Sequence, residues 1–302
     1  MVLLSYVIMC LIFGTTFLAI KLGLEAGLDP YLSAGIRFFI AGAIVILICS
    51  LRKMKFPSSF TMYRHLLIIG FCLTTCTFAT LYWAEQYIPA SLAALLSAIG
   101  PMVITLMLSV KARKPLMPVQ WIGLLLGFSG VMMITIPSIS FSLGSLWLIA
   151  CVVVIVGEIF YCIGTVRSNE VMQTDISPFI LNGFQMLFGG TMLLILSFVT
   201  ETPNFHVLVE PNALLSLFYL TFIGSLGGHS LYYWLIKKTN PSFPATWLYV
   251  SPFIALALDL GIRQEPITSA MVFGGICIIS GVFVMNQRLL RRKVQEEHVS
   301  SI

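Results

Sequence analysis

Apolar residues fall along this chain in blocks of about twenty, separated by short stretches where the charged residues gather. A helix needs about 20 mostly apolar residues to cross the hydrocarbon core of a bilayer. Ten blocks meet that length, at 2–22, 31–50, 66–84, 90–110, 120–136, 144–164, 178–199, 213–235, 242–260 and 269–286. They are apolar all round rather than striped or alternating, which fits helices surrounded by lipid and by one another. The first block, from Val2 to Leu22, is too long for the apolar part of a signal peptide and has no basic stretch before it, so it reads as a first spanning helix. The connections are short, which leaves no inserted soluble domain. The expected fold is an all-α integral membrane protein of ten transmembrane helices.

Composition supports the same solvent. Of 302 residues, 58% are hydrophobic and 10% charged, whereas a soluble chain carries about 25% charged residues. The formal net charge of +5 would suit nucleic acid only if it formed a basic, aromatic-studded face; here Lys and Arg sit in short clusters between apolar blocks, so no nucleic-acid partner is expected. With the N-terminus inside, the inner connections hold Arg52, Lys53, Lys55, Arg64, Lys111, Arg113, Lys114, Arg167, Lys237, Lys238, Arg288, Arg291, Arg292 and Lys293. The outer ones hold Arg263 beside Asp29, Glu201, Glu210 and Glu265. Ten alternating spans satisfy the positive-inside rule throughout, giving a plasma-membrane protein with both termini cytoplasmic.

The chain also repeats itself. At a shift of 151 (252 − 101), Pro101 meets Pro252, Tyr82-Trp83 meets Tyr233-Trp234, Pro115 meets Pro266, and Ser129-Gly130-Val131 meets Ser280-Gly281-Val282. At a shift of 148 (178 − 30), Pro30 meets Pro178 and Gly42 meets Gly190. Each half holds five spans, an odd number, so the second half enters the membrane from the opposite side. Two inverted five-helix repeats around a central cavity are a construction used by secondary transporters. The expected divisions are a first repeat over 1–137, a second over 138–287, and a polar cytoplasmic tail over 288–302.

At this level the residues resemble the EamA-type carriers of the drug/metabolite transporter superfamily. The resemblance is carried by Phe13-Gly14-Thr15-Thr16-Phe17 with Lys21, by Asp29-Pro30 leading to Arg37-Phe38, by Tyr82-Trp83-Ala84-Glu85-Gln86-Tyr87-Ile88-Pro89-Ala90 running on to Pro101, and by the Ser-Gly-Val that closes each half. It spans nearly the whole chain. It implies ten helices in two inverted repeats and the movement of amino acids, other metabolites or drugs, often outward. One departure is Gly157-Glu158-Ile159-Phe160-Tyr161-Cys162, where many relatives are more uniformly apolar.

Glu158, near the middle of the sixth block, is the foremost candidate for function. A bare carboxylate at that depth costs several kcal/mol, about 2.5–3.5 for the Asp/Lys/Arg class. It must therefore face a wet cavity, hold a proton or a substrate amine, or pair with Lys21, Arg37 or His229. Lys21 and Arg37 are the other embedded charges; either could hold a substrate carboxylate, or anchor its helix, with Glu25 or Asp29 as partners for Arg37. His229, after Gly227-Gly228, is a titratable candidate or a packed residue. Asp259 reads as interfacial and Glu85 as solvated at the end of the third span. Pro101 and Pro252 are paired helix breaks whose freed carbonyls a wet cavity could satisfy, which puts the cavity between the fourth and ninth helices, completed by the first, third, sixth and eighth. Trp83, Trp247 and Tyr249 are the aromatic wall candidates, with Tyr82, Tyr233 and Trp234 beside them, and an aromatic wall suits amphipathic or cationic solutes. Gly123 and Gly127, like Gly23/Gly27 and Gly224/Gly228, allow close helix approach, within one bundle or in a homodimer.

No catalytic cluster, cofactor or metal site is expected. The seven cysteines lie in or at the edge of apolar blocks, and Cys72 and Cys76 lack a second ligand pair. No Walker loop, metalloprotease or dinucleotide motif occurs, which favours an ion gradient, protons being the candidate, or exchange as the driving force. The expected function is a secondary transporter of small organic solutes, with export the preferred direction. The alternatives are a membrane-embedded enzyme acting on lipid or peptide, and a non-transporting sensor.

Overall fold

A computed structural model describes residues 1–136, 145–254 and 269–299, apart from the side chains of 134, 135, 271 and 286–299. Among the described residues the chain is helical, with no strand. The helices are α1 (Val2–Glu25), α2 (Pro30–Leu51), α3 (Phe60–Ala84), α4 (Ala90–Ala112), α5 (Pro118–Thr135), α6 (Ser145–Met172), α7 (Pro178–Thr200) and α8 (Pro211–Lys238). The last two are α9 (Ser242–Ala245, continued over 247–254) and α10 (Ser269–Val299). Seven of them, α1–α4 and α6–α8, are long and apolar enough to cross a bilayer, and α5 and α10 contain the shorter apolar stretches Pro118–Met133 and Val272–Met285. The remainder of the expected ninth span, with Asp259, lies outside the described residues. So do Arg263 and Glu265. The helix of α10 runs on to Val299, so most of the segment expected as a polar tail from residue 288 continues that helix.

Several helices start where the sequence says they must. Pro30, Pro118, Pro178 and Pro211 each open a helix, the one place where a missing N–H and a fixed φ are harmless. Glu201 caps α2 from the end of α7: its two carboxylate oxygens accept from the main-chain N–H of Tyr31 (2.8 Å) and Leu32 (3.0 Å). Large side chains such as Leu11, Leu47, Ile149 and Ile195 point outward, as surfaces solvated by lipid do.

Lipid is as apolar as leucine, so helices associate in it by close packing rather than by the hydrophobic effect. Two seams show this. In the first, α2 lies antiparallel to α7: a methyl on Gly42 would stand 2.8 Å from the Leu187 Cα and 2.9 Å from the Gly183 carbonyl, and one on Gly35 would stand 2.9 Å from the Leu194 nitrogen. In the second, α5 lies antiparallel to α10: a methyl on Gly123 would stand 2.9 Å from the Gly281 carbonyl, and one on Gly130 would stand 2.6 Å from the Gly274 carbonyl. Gly123 and Gly127 are therefore used inside the chain, against α10 and Tyr249, in keeping with the reading of these glycines as packing within one bundle. In each seam a helix of one half meets its own counterpart from the other, antiparallel, as inverted repeats require.

The third helix of each half is locally underwound. α3 carries a π-helical stretch at Phe71–Cys76, and α8 one at Leu220–His229. The two overlap under the 151-residue shift, since 71 + 151 = 222. The fourth helices are broken: α4 turns at Ala98–Ile99 between Ala90–Ser97 and Gly100–Ala112, and α9 turns at Thr246.

Candidate functional site: a central cavity

The π stretches and the broken helices surround an enclosed cavity of about 50 Å³. The space open to the centre of a water-sized sphere exceeds the roughly 10–15 Å³ that one water needs, so the cavity has room for more than one water. Its apolar wall includes Phe13, Phe17, Phe78 and Trp247, and its polar groups include Arg37, Ser97, Glu158, Gln185 and His229. Residues of α2 and α7 thus join those from the six expected helices. The lining obeys the repeat: Phe13 pairs with Tyr161 and Arg37 with Gln185 (shift 148), Phe78 with His229 and Ser97 with Leu248 (shift 151), and all eight face the cavity. The cavity lies where the two halves meet, yet the paired positions differ in chemistry.

Glu158 sits on the buried face of α6 with Val154, Cys162 and Thr165. It is 4% exposed and lies against the break in α4. Ser97 lines the same cavity, and the Cys162 thiol lies 4.0 Å from Oε1 while facing the Gly100 carbonyl at 3.6 Å. A side chain at Gly100 would run into Oε1. The carboxyl thus meets the start of the second piece of α4, where main-chain N–H groups and the helix dipole favour negative charge. None of the three cations weighed as partners reaches it, because the ion pairs among the described residues are Lys111–Glu170 and Arg167–Glu170.

Arg37, two turns into α2, is 1% exposed. Its Nε donates to the Ser225 hydroxyl at 2.7 Å and its Nη1 to the Tyr82 hydroxyl at 3.1 Å. The guanidinium carbon lies 4.6 Å and 5.2 Å from the ring centres of Phe38 and Phe78. Neither Glu25 nor Asp29 pairs with it; Asp29 accepts from the Asn204 N–H instead.

His229 ends the π stretch of α8. Its Nδ1 lies 3.3 Å from the Gly224 carbonyl, five residues back. A carbonyl only accepts, so Nδ1 carries the hydrogen and Nε2 is left as an acceptor. Its ring packs among Phe13, Phe38 and Phe78. Trp247 closes the cavity from α9, donating from Nε1 to the Tyr161 hydroxyl (3.2 Å), which in turn donates to the Tyr232 hydroxyl (2.9 Å).

Four candidates thus converge: Glu158, Arg37, His229 and Trp247. The others lie elsewhere. The Lys21 ammonium donates to the Glu85 main-chain carbonyl at 2.7 Å. Glu85 itself is fully buried, not solvated. Trp83 stacks on Tyr87 with ring centres 4.9 Å apart. Tyr249 packs against α5 under Gly127, with its hydroxyl donating to the Leu124 carbonyl at 3.4 Å. Pro101 opens the second piece of α4, where its missing N–H is harmless. At Pro252 the freed Leu248 carbonyl accepts from the Ser251 hydroxyl (3.4 Å), so a side chain rather than water supplies the donor. Sequence reasoning missed Ser97, Tyr161, Gln185 and Tyr232. Gln185 and Asn182, two amides one turn apart in an apolar block, were the available signal for the seventh helix.

Apolar helices seamed by glycine around a small, charged, enclosed cavity define a polytopic membrane protein of the transporter class. The particular lineage follows from comparison with known proteins: the model of the EamA-like transporter family matches residues 1–136 and again 148–287, and the chain belongs to that family. It is 26% identical over 262 residues to the uncharacterised inner membrane transporter YedA of Escherichia coli, covering 85% of this chain and 81% of that one. It is 22% identical over 295 residues to the uncharacterised transporter YoaV of Bacillus subtilis, covering 97% and 99%. A protein of known crystal structure, 17% identical, superposes with a TM-score of 0.75 over 96% of this chain and 97% of its own, which speaks for the fold.

Proposed function

We propose that this chain is a secondary carrier that moves small organic solutes across the plasma membrane by alternating access, with outward transport the preferred direction. On this reading it catalyses no reaction, 1–137 and 138–287 form the two rocking halves, both termini are cytoplasmic, and protons drive the cycle. One observation carries the reading: a buried carboxyl without a cationic partner, Glu158, faces a cavity lined by both halves. Intramembrane acids of this kind serve proton relays, and rocking one half against the other would expose the acid to each side in turn. The enzyme alternative is disfavoured by His229, which is tied to a main-chain carbonyl rather than to a nucleophile.

The test is transport by purified protein in vesicles with an imposed pH step. Glu158→Gln keeps the shape and removes the titratable group. It should reduce pH-driven flux to background while solute exchange at equal pH persists. A pH dependence identical to wild type would end the coupling role of Glu158.

A further inference from the structure

We infer that a groove on the flank of the bundle, between α1 and α8, holds the headgroup of a phospholipid that carries a primary ammonium, a phosphatidylethanolamine. The carrier reading supplies only the leaflet: the topology proposed above sets this end of the bundle outside.

The groove measures about 570 Å³ and lies apart from the central cavity. The two helices are tied along it. The Ser216 hydroxyl donates to the Ala19 carbonyl (2.6 Å), and the hydroxyls of Thr15 and Tyr219 share a hydrogen bond (2.5 Å). Glu25 is the last residue of α1 and Asn212 the second of α8, so both line the groove at one end of the bundle. Three residues further in on each helix stand Leu22 and Leu215, exposed and also in the lining. The groove is thus polar at its rim and apolar below, the order in which a phospholipid presents its headgroup and then its chains.

The rim is charged in two senses, because α1 ends there and α8 begins there. The negative dipole end of α1, together with the Glu25 carboxylate, favours a cation. The positive end of α8, with first-turn N–H groups left over and the Asn212 amide beside them, favours an anion. Among the described residues Glu25 enters no ion pair. The cation of α1, Lys21, is turned to the Glu85 carbonyl instead.

A zwitterion satisfies both ends, with its phosphate at α8 and its ammonium at Glu25. An anionic headgroup does not, since 25–30 and 201–211 hold Glu25, Asp29, Glu201 and Glu210 and no Lys or Arg. A choline headgroup fits less well. Its nitrogen has no N–H to give a carboxylate, and the ring in the lining, Tyr219, lies seven residues (219 − 212), about 10 Å, below the rim. The two helices come from different matched repeats, so a lipid held here touches both halves at once.

The experiment titrates the purified full-length protein in detergent with dioleoyl phosphatidylethanolamine, phosphatidylcholine and phosphatidylglycerol, and reads bound lipid by native mass spectrometry. The ethanolamine lipid should bind about tenfold more tightly than the glycerol lipid and about fivefold more tightly than the choline lipid. Glu25→Gln, at an exposed position, should bring the three within about twofold of one another. Glu210→Gln removes an acid at the same end that is not in the groove lining, and should leave the preference as it is. Equal binding of the three lipids by wild type, an undiminished preference in Glu25→Gln, or an equal loss in Glu210→Gln overturns the assignment. The carrier reading is scored apart, by solute flux in vesicles, and neither result decides the other.

Discussion

At the scale of single residues, the cavity is defined by contacts that leave no slack. Gly100 is one such case: the Glu158 carboxyl fills the space where a side chain would stand, and Leu248 Cδ1 is 2.7 Å from the same point. Gly100→Ala should therefore destabilise the protein by about 1–3 kcal/mol through overpacking, read as a lowered Tm. In a Glu158→Ala background the same substitution should cost less, because the nearer of the two groups it strikes is gone and only Leu248 remains; two effects that simply add would show that the carboxyl does not sit there. Residue-scale reasoning also shows where the sequence misled. Trp247 and Tyr249 looked equivalent by their distance from Pro252, but two positions differ by about 200° around a helix. One ring therefore faces the cavity and the other faces α5. Glu85 looked solvated because it ends an apolar block, but its burial is a matter of tertiary packing that block boundaries do not show.

At the scale of elements, the apolar blocks and the prolines at their starts were legible, because the bilayer imposes a length and proline tolerates only the first turn. The repeat was legible because Pro, Gly and Trp rarely align by chance. The π stretches were not, since an extra residue per turn is settled by tertiary packing rather than local propensity; with them went the orientation of His229. Glycine spacing announced close approach, with packing inside the bundle the default reading, but not which helix would be the partner. The seams carry a prediction of their own. Gly42→Ala pushes a methyl into the Leu187 and Gly183 backbone and should destabilise by about 1–3 kcal/mol, whereas Leu47→Ala on the exposed face of the same helix should stay within about 0.5 kcal/mol. Unfolding of the two variants in one detergent compares them directly, and equal losses would argue against a tight α2–α7 seam.

At the scale of the whole molecule, the antiparallel pairing of α2 with α7 and of α5 with α10 fits an even number of spans, so both chain ends should lie on the cytoplasmic side. Fluorescent protein fused at Met1 or at Ile302 should glow, and alkaline phosphatase at either end should be inactive; ends that report opposite faces would break this topology. The mismatch between counterpart residues in the lining has a further consequence. A chamber assembled from two copies of a single half would present every group twice, and a guest could lie in it either way round. Here one guanidinium stands across from one amide, and one imidazole across from one phenyl ring. Joining the halves in one polypeptide let them drift apart in chemistry while keeping the same shape, and so gave the chamber a head and a tail. Whatever it carries must ride facing one way, and must turn with the walls rather than within them.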